Sequence, residues 1–399
     1  MFDRNTEMDM TEGPLFKKLV AYAIPIMLTG ILQLLFNAAD LIVVGRFAGR
    51  TALAAVGSTT SLTNLLVNVF MMISIGVSVA VAQHYGAHEP DEVERTVSTA
   101  MLMSLLLGAA VCLIGMAACK PMLKAMGSPD DVIDQSVLYM RIYFTGMPAF
   151  MVYNFGASAM RAVGDTRRPM QFLTIAGIIN VILNVITVLY FNLGVAGVAI
   201  ATSVSQYVSA IFVVLSLVKT ESCLHLDVRH MRIHRDKMLA ILKVGLPAGL
   251  QSLVFSISNV VIQSSVNSFG SAVMAGSAAS NNVEGFIYTS MNAVVQSAMA
   301  FTGQNIGARK FQRIGDIVRK SILMRGMGNS TVPMAISIFG ICVLRIVWIY
   351  TVFSAYRTFE MLVVSYPISW IVTLIAQYIC YGIVKRRTIA AMQSGEKSI

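Results

Sequence analysis

One carboxylate stands where lipid is expected. Asp40 lies in the run Leu34-Leu35-Phe36-Asn37-Ala38-Ala39-Asp40-Leu41-Ile42-Val43-Val44, and an ionised carboxylate inside a spanning helix costs about 2.5–3.5 kcal/mol on insertion scales. That cost is retained where a cation or proton must bind, so Asp40 is suited to take up a proton on one side of a membrane and release it on the other. The plainer alternative places it near an interface, two turns before Arg46, where it reaches water. Asn180 and Asn184 stand four apart in another apolar run. That spacing puts both carboxamides on one helix face, either completing a proton or cation site opposite Asp40 or acting as interhelical glue. Asn37, beside Asp40, and the group Asn281, Asn282 and Glu284 are candidates for a substrate or second cation site. An ordinary water-lined wall is the competing reading of the latter group.

These residues need long apolar helices to hold them. Of the 399 residues 56% are hydrophobic and only 13% charged, and the mean hydropathy is +0.70. Soluble domains carry about 25% charged residues, so composition excludes one. Apolar runs of about 20 residues match a hydrocarbon core of about 30 Å, and backbone satisfaction in lipid selects helices for uninterrupted runs. The pattern predicts an all-α polytopic membrane protein with ten crossings, at 16–45, 52–84, 94–119, 134–160, 168–191, 194–219, 238–268, 272–306, 331–353 and 361–385. No cleavable signal peptide is evident before the first run.

Charge sets the expected orientation. Lys and Arg accumulate in cytoplasmic loops, and most of the 30 here fall on one side if the N-terminus is cytoplasmic, only Arg46, Arg50, Lys120, Lys124 and Arg357 falling outside. Both termini are therefore expected in the cytoplasm of a cell whose inner (plasma) membrane holds the chain. The net charge of +10 reads as topology with some attraction to anionic lipid heads, and no nucleic acid is needed to explain it.

The chain also repeats itself. Gln83-His84-Tyr85-Gly86-Ala87 recurs as Gln304-Asn305-Ile306-Gly307-Ala308, an offset of 221, and Pro25 and Asn37 recur as Pro247 and Asn259, an offset of 222. Met160-Arg161-Ala162-Val163-Gly164-Asp165-Thr166-Arg167-Arg168-Pro169 recurs from Met324 to Pro333 at an offset of only 164. The second half is thus shorter by 57 residues, the interval that holds the third and fourth crossings of the first half. The expected organisation is a tail (1–15), a six-helix bundle (16–219), a basic linker (220–237), a bundle of four helices with its gap near 323–325 (238–385) and a second tail (386–399). Even-numbered parallel repeats with a cavity between them are a transporter architecture.

Enzyme signatures are absent: the chain has no Walker sequence, HExxH or GxSxG. The five cysteines form no CxxC pair and read as small hydrophobes. His225, His230 and His234 crowd the basic linker, a solvated segment rather than a metal site. Arg141 in the fourth expected helix and Arg345 in the ninth read as snorkelling or paired residues rather than ligands. No cofactor is expected beyond a coupling ion, H+ or Na+, because nothing binds ATP.

Taken together, Pro25, the Phe36–Arg46 stretch, the paired Gln-Gly-Ala helix ends, Arg161/Gly164/Pro169 with Arg325/Gly328/Pro333, and Ser365-Tyr366-Pro367-Ile368-Ser369-Trp370 resemble the multidrug and toxic compound extrusion (MATE) transporters. The resemblance covers nearly the whole chain. It implies two bundles that export organic cations by exchange for protons or sodium. It also places the family's helix-one carboxylate on Asp40, its helix-five polar positions on Asn180 and Asn184, and an acidic position of helix eight on Glu284. Where Asn184 stands many relatives have Asp. A flippase of related fold for lipid-linked sugars, or a degenerate non-transporting membrane protein, remains an alternative function.

Overall fold

The computed structural model describes residues 7–125, 130–267, 271–320, 338–356 and 358–393, and every described element is a helix. Helix α1 spans Leu15–Val43 and loosens into a π-helical turn at Val44–Ala48; α2 spans Arg50–Gly86, α3 Pro90–Ala125, α4 Asp130–Thr145 and α5 Met147–Ala162. Helix α6 spans Arg167–Val185 and ends in a π-helical turn at Ile186–Tyr190; α7 spans Gly194–Lys219, α8 Arg235–Asn267 and α9 Ser271–Gly307. The short α10 spans Phe311–Lys320, the mixed α- and π-helical α11 spans 338–353, and α12 spans Phe359–Gln393.

Among the described residues, seven stretches are long and apolar enough to cross a membrane: Leu15–Ala48, Val67–Gly86, Pro90–Lys124, Arg167–Tyr190, Gly194–Lys219, Arg235–Asn259 and Glu360–Ile379. The sequence expectation of ten departs from this in identifiable places. The expected crossing at 134–160 is two helices of 16 residues that meet at Gly146, because Pro148 has no N–H to continue the first helix but is suited to the opening turn of the second. Helix α9 is long, yet its Ser- and Asn-rich first half is too polar to qualify. Of the expected span 331–353, residues 331–337 lie outside the described ones and 338–353 is shorter than a full crossing. Helix α12 runs on to Gln393 instead of ending at 385, since Lys and Arg are good helix formers once clear of lipid. Between Gly307 and Ile338 the described chain holds only α10, where the first half has α3, α4 and α5.

The first half packs around one apolar core that includes Met140, Phe144, Met147, Met151, Phe155, Met160 and Phe172. Its α5–α6 turn, one of the repeat landmarks, is tied by buried charge. Asp165 is fully buried and pairs with the Arg168 guanidinium, accepts the Arg168 backbone N–H at 3.1 Å, and leaves Arg168 Nη1 to donate to Ser216 Oγ at 3.2 Å. Gly164, at φ +98°, makes the reversal possible. The equivalent landmark at 325–333 lies outside the described residues.

The starts of α1, α3, α6 and α8 and the ends of α2, α5, α7 and α9 gather on one face, here called the N-terminal face. Tyr22 Oη donates to the Arg161 carbonyl at 2.7 Å and Lys237 Nζ to His84 Nε2 at 2.9 Å; Lys237 also pairs with Glu92. On this side the halves meet main chain to main chain. Gly245 and Gly249 of α8 pack on Ile73 and Val69 of α2, Gly76 of α2 on Ile241 of α8, and Gly303 and Gly307 of α9 on Ala82 and Gln83 of α2. A Cβ at Gly307 would lie 1.9 Å from the Gln83 carbonyl oxygen, so only glycine permits the approach. Small residues four apart are how helices associate where lipid supplies no hydrophobic drive. Toward the opposite face, a Cβ added at Gly57 or Gly285 would meet no described atom within 4 Å.

The described cysteines are free thiols; Cys119 and Cys342 are buried as small hydrophobes. In the 220–234 segment, burial, with the Glu7 carboxylate near it, pushes the Cys223 thiol up to about 11. Alkylation of Cys223 in the folded protein is therefore expected to be more than tenfold slower at pH 8 than in denatured protein, and to climb through pH 11, because the thiolate is the nucleophile; mass spectrometry of timed iodoacetamide quenches checks this. Replacing Asp165 by Ala strands the Arg168 guanidinium and is expected to cost about 3–5 kcal/mol, read as a lower melting temperature and folded yield in detergent.

Candidate functional site

The sequence puts Asp40 one turn after Phe36 on α1, and glycine decides what α1 can touch. Phe36 lies over Gly177 of α6, so closely that a Cβ there would fall 1.9 Å from Phe36 Cε2. With the helices so near, Asp40 meets the carboxamide two turns further along α6: Asn184 Nδ2 donates to Asp40 Oδ1 at 2.5 Å and to Asn180 Oδ1 at 3.2 Å. Asn180 Nδ2 in turn reaches Thr202 Oγ1 of α7 at 3.4 Å, and Thr202 also lies within hydrogen-bonding range of the Asp40 carboxyl. Asp40, Asn180 and Asn184, named from sequence, are thus brought together. Asn184 is completely buried and Asn180 nearly so.

The network is not balanced. Both N–H groups of the Asn184 amide are used, while its buried carbonyl Oδ1 has no hydrogen-bond partner among the described residues. A buried acceptor left open costs about 1–3 kcal/mol, so this one marks where a proton donor or a small cation would be welcome. Tyr139 and Tyr143 of α4 stack at 6.0 Å between ring centroids. Gln206 of α7 lies beside Tyr143 and leaves its own buried Oε1 unpartnered. Thr202, Tyr139, Tyr143 and Gln206 were not singled out in the sequence; a tyrosine pair four apart, at 139 and 143, was the available signal.

Of the other candidates, only Asn37 has a described side chain that can be placed against this network. Asn37 is exposed and contributes no bond to it. Asn281, Asn282 and Glu284 lie on α9, but their side chains are outside those described. Arg345 is buried and does not snorkel: its Nε donates to Ser369 Oγ at 2.9 Å and its guanidinium lies 4.1 Å from the Tyr366 ring centroid. Among the described residues no group of His, Cys, Asp and Glu is arranged to hold a metal.

The repeat shows what is particular to the first half. At the offset of 222, Asp40 corresponds to Ile262; at the offset of 164, Asn180, Asn184 and Thr202 correspond to Leu344, Trp348 and Tyr366. Ile262, Trp348 and Tyr366 sit in one apolar cluster with Ile349, Phe353 and Leu362. Three of these positions remain neighbours, but no carboxylate or carboxamide stands among the four, and the polar groups left are the Tyr366 hydroxyl and the Trp348 indole N–H. Even the Phe36–Gly177 contact is inverted in size, as Ser258 and Ile341.

Helical halves knit by close glycine contacts on one face, with a polar network held among the apolar helices of the first half, are the build of a membrane transporter. The comparisons agree. The MatE family matches residues 25–186 and 247–325, and the chain belongs to that family, whose members are transporters and not enzymes. It is 27% identical over 331 residues to the probable multidrug resistance protein YoeA of Bacillus subtilis, covering 81% of this chain and 72% of that protein. It is 26% identical to the FAD transporter of Shewanella oneidensis, over 76% of this chain and 68% of that one. In fold it is similar to a multidrug resistance MATE transporter solved in an outward-facing conformation (TM-score 0.85, 20% identity, 98% of this chain and 100% of that one) and to a MOP superfamily transporter from Pyrococcus furiosus (TM-score 0.85, 20% identity, 98% and 99%).

The Phe36–Gly177 contact yields a test. Gly177→Ala should push α1 off α6 and reduce any function that depends on Asp40 at least tenfold, whereas Gly177→Ala with Phe36→Ala should recover part of it. A double-mutant cycle on transport rate, with expression controlled, measures the coupling; additive losses would mean that the contact does not position Asp40.

Proposed function

We propose that the protein is a cation-coupled antiporter that exports organic cations, drugs or toxic compounds across the cell's inner membrane in exchange for H+ or Na+. The observation that carries the proposal is the unpartnered Asn184 carbonyl next to the Asp40 carboxyl, both held inside a lipid-spanning bundle. A carboxylate next to the buried Asn184 amide oxygen is a place that either a proton or a dehydrated alkali cation can enter. Protonating Asp40, or neutralising it with a bound cation, weakens the charge-assisted bond from Asn184 and, when the proton is carried, adds an O–H that the Asn184 carbonyl can accept. The α1–α6 contact then has two arrangements, one for each state of the carboxyl, and the first half can favour a different opening in each. That is a means of linking an ion gradient to the movement of another solute.

The names carried by YoeA and by the Staphylococcus MepA proteins, to which the chain is 18–20% identical, speak for drug-like cargo. Tyr139 and Tyr143 beside a carboxylate would receive a flat organic cation through ring faces and charge. In this reading one carboxyl couples transport, because the equivalent position of the second half is apolar. The Lys and Arg content of the N-terminal face supports reading it as the cytoplasmic one, with both termini inside the cell.

Everted vesicles from cells lacking their own exporters provide the test. Wild-type protein should accumulate ethidium or a similar cationic dye when a proton or sodium gradient is imposed, and Asp40→Asn should lower the initial rate at least a hundredfold at equal expression. Collapse of one gradient at a time identifies the ion. Equal rates for wild type and Asp40→Asn would remove Asp40 from the mechanism, and no dye movement under either gradient would reject the exporter reading.

A further inference from the structure

The extended segment Met8–Gly13 ahead of α1 belongs by chain connection to the first half, yet most of its bonds go to the second. Met8 N–H donates to the Val163 carbonyl of the α5–α6 turn at 3.1 Å. From there on the partners change sides. Met10 N–H donates to Gln304 Oε1 of α9 at 2.9 Å, and its carbonyl accepts Asn305 Nδ2 at 3.1 Å. Lys310 Nζ reaches Thr11 Oγ1 at 3.2 Å and the Glu12 carboxylate at 2.9 Å. Arg313 Nη2 donates to the carbonyls of Glu12 and Gly13 at 2.9 and 2.7 Å. The Met10 side chain is fully buried in an apolar cluster with Leu19, Tyr22 and Ile26 of α1, Phe301 of α9 and Ile317 of α10.

Gln304 completes the tie. While its Oε1 holds the segment, its Nε2 donates to the Ala162 carbonyl of the first half at 2.7 Å, so one buried side chain spans both halves and the strand between them. Separation of the halves on this face would break the bonds to Gln304, Asn305, Lys310 and Arg313 together and expose Met10. The short α10, standing where the second half lacks two crossings, provides Arg313 and Ile317 to this junction.

We propose that Met8–Gly13 is a strap that holds the N-terminal face shut, so that the protein rests open toward the opposite face and must release the strap to open inward. This rests on the reading of the protein as a transporter that opens alternately to two sides. It assigns the segment a conformational role and makes Gln304 and Asn305 its catch.

Distance measurement tests it without reference to cargo. Spin labels are placed at exposed Glu94 of α3 and Arg309 beyond α9, in protein whose five native cysteines are replaced, reconstituted in nanodiscs. Deleting residues 2–12 should raise the ratio of the long to the short distance population about tenfold, the scale set by losing several buried hydrogen bonds at once. A second variant guards against misfolding of the first. Thr11→Cys with Lys310→Cys, bridged by a reducible bis-methanethiosulfonate reagent about as long as the lysine side chain, should abolish the long population and stop dye export until reductant is added. An unchanged distribution in the deletion variant, or full export by the bridged protein, overturns the strap. If the distances shift as stated while no variant moves dye, the strap stands and the exporter reading falls.

Discussion

A polar side chain within a lipid-spanning helix must find its partners on neighbouring helices, because there is no water to supply them. In this protein that requirement is met by Asn184 for Asp40, and it is met only because Gly177 lets α1 lie against α6. The remaining features of the first half follow from it. Thr202 and Asn180 extend the network to α7, the tyrosines of α4 close over it, and the buried Asp165–Arg168 pair fixes where α6 begins. A two-helix contact thereby becomes a four-helix site.

The second half shows the same scaffold without that requirement. Ile262, Leu344, Trp348 and Tyr366 occupy the corresponding places, and three of them pack together as apolar core. The adjacency is kept while the carboxylate and carboxamides are not. Between α9 and α11 the described chain holds only α10, and the seam with the first half runs through Gly245, Gly249, Gly303 and Gly307. What the second half contributes is a surface to close against.

Much of this could be read from the sequence because two signals were strong. Long apolar runs bounded by Gly, Pro and charge gave helix α7 to the residue, and a lone aspartate among aliphatic residues with two asparagines a turn apart pointed to the network that forms. Other parts were illegible for physical reasons. The break at Gly146 needs a proline that a run-length argument passes over. Thr202 and Gln206 look like any polar residues of a membrane helix until the fold brings α7 beside α1. The repeated Gln-Gly-Ala was legible as a landmark, but not its meaning: Gly307 admits α2, and Gln304 takes hold of a segment that follows no helical or strand pattern.

Two kinds of contact close the N-terminal face, and they differ in what they answer to. The glycine seam is van der Waals contact between main chains and is indifferent to dissolved electrolytes. The Lys310–Glu12 pair is substantially exposed, at 40% and 71% of the side-chain surface, and exposed pairs fade once the Debye length, about 8 Å at physiological ionic strength, shortens further. Ionic strength in the compartment bathing that face therefore adjusts one fastening and leaves the other alone, so a rise in salt there would loosen the closure without weakening the fold.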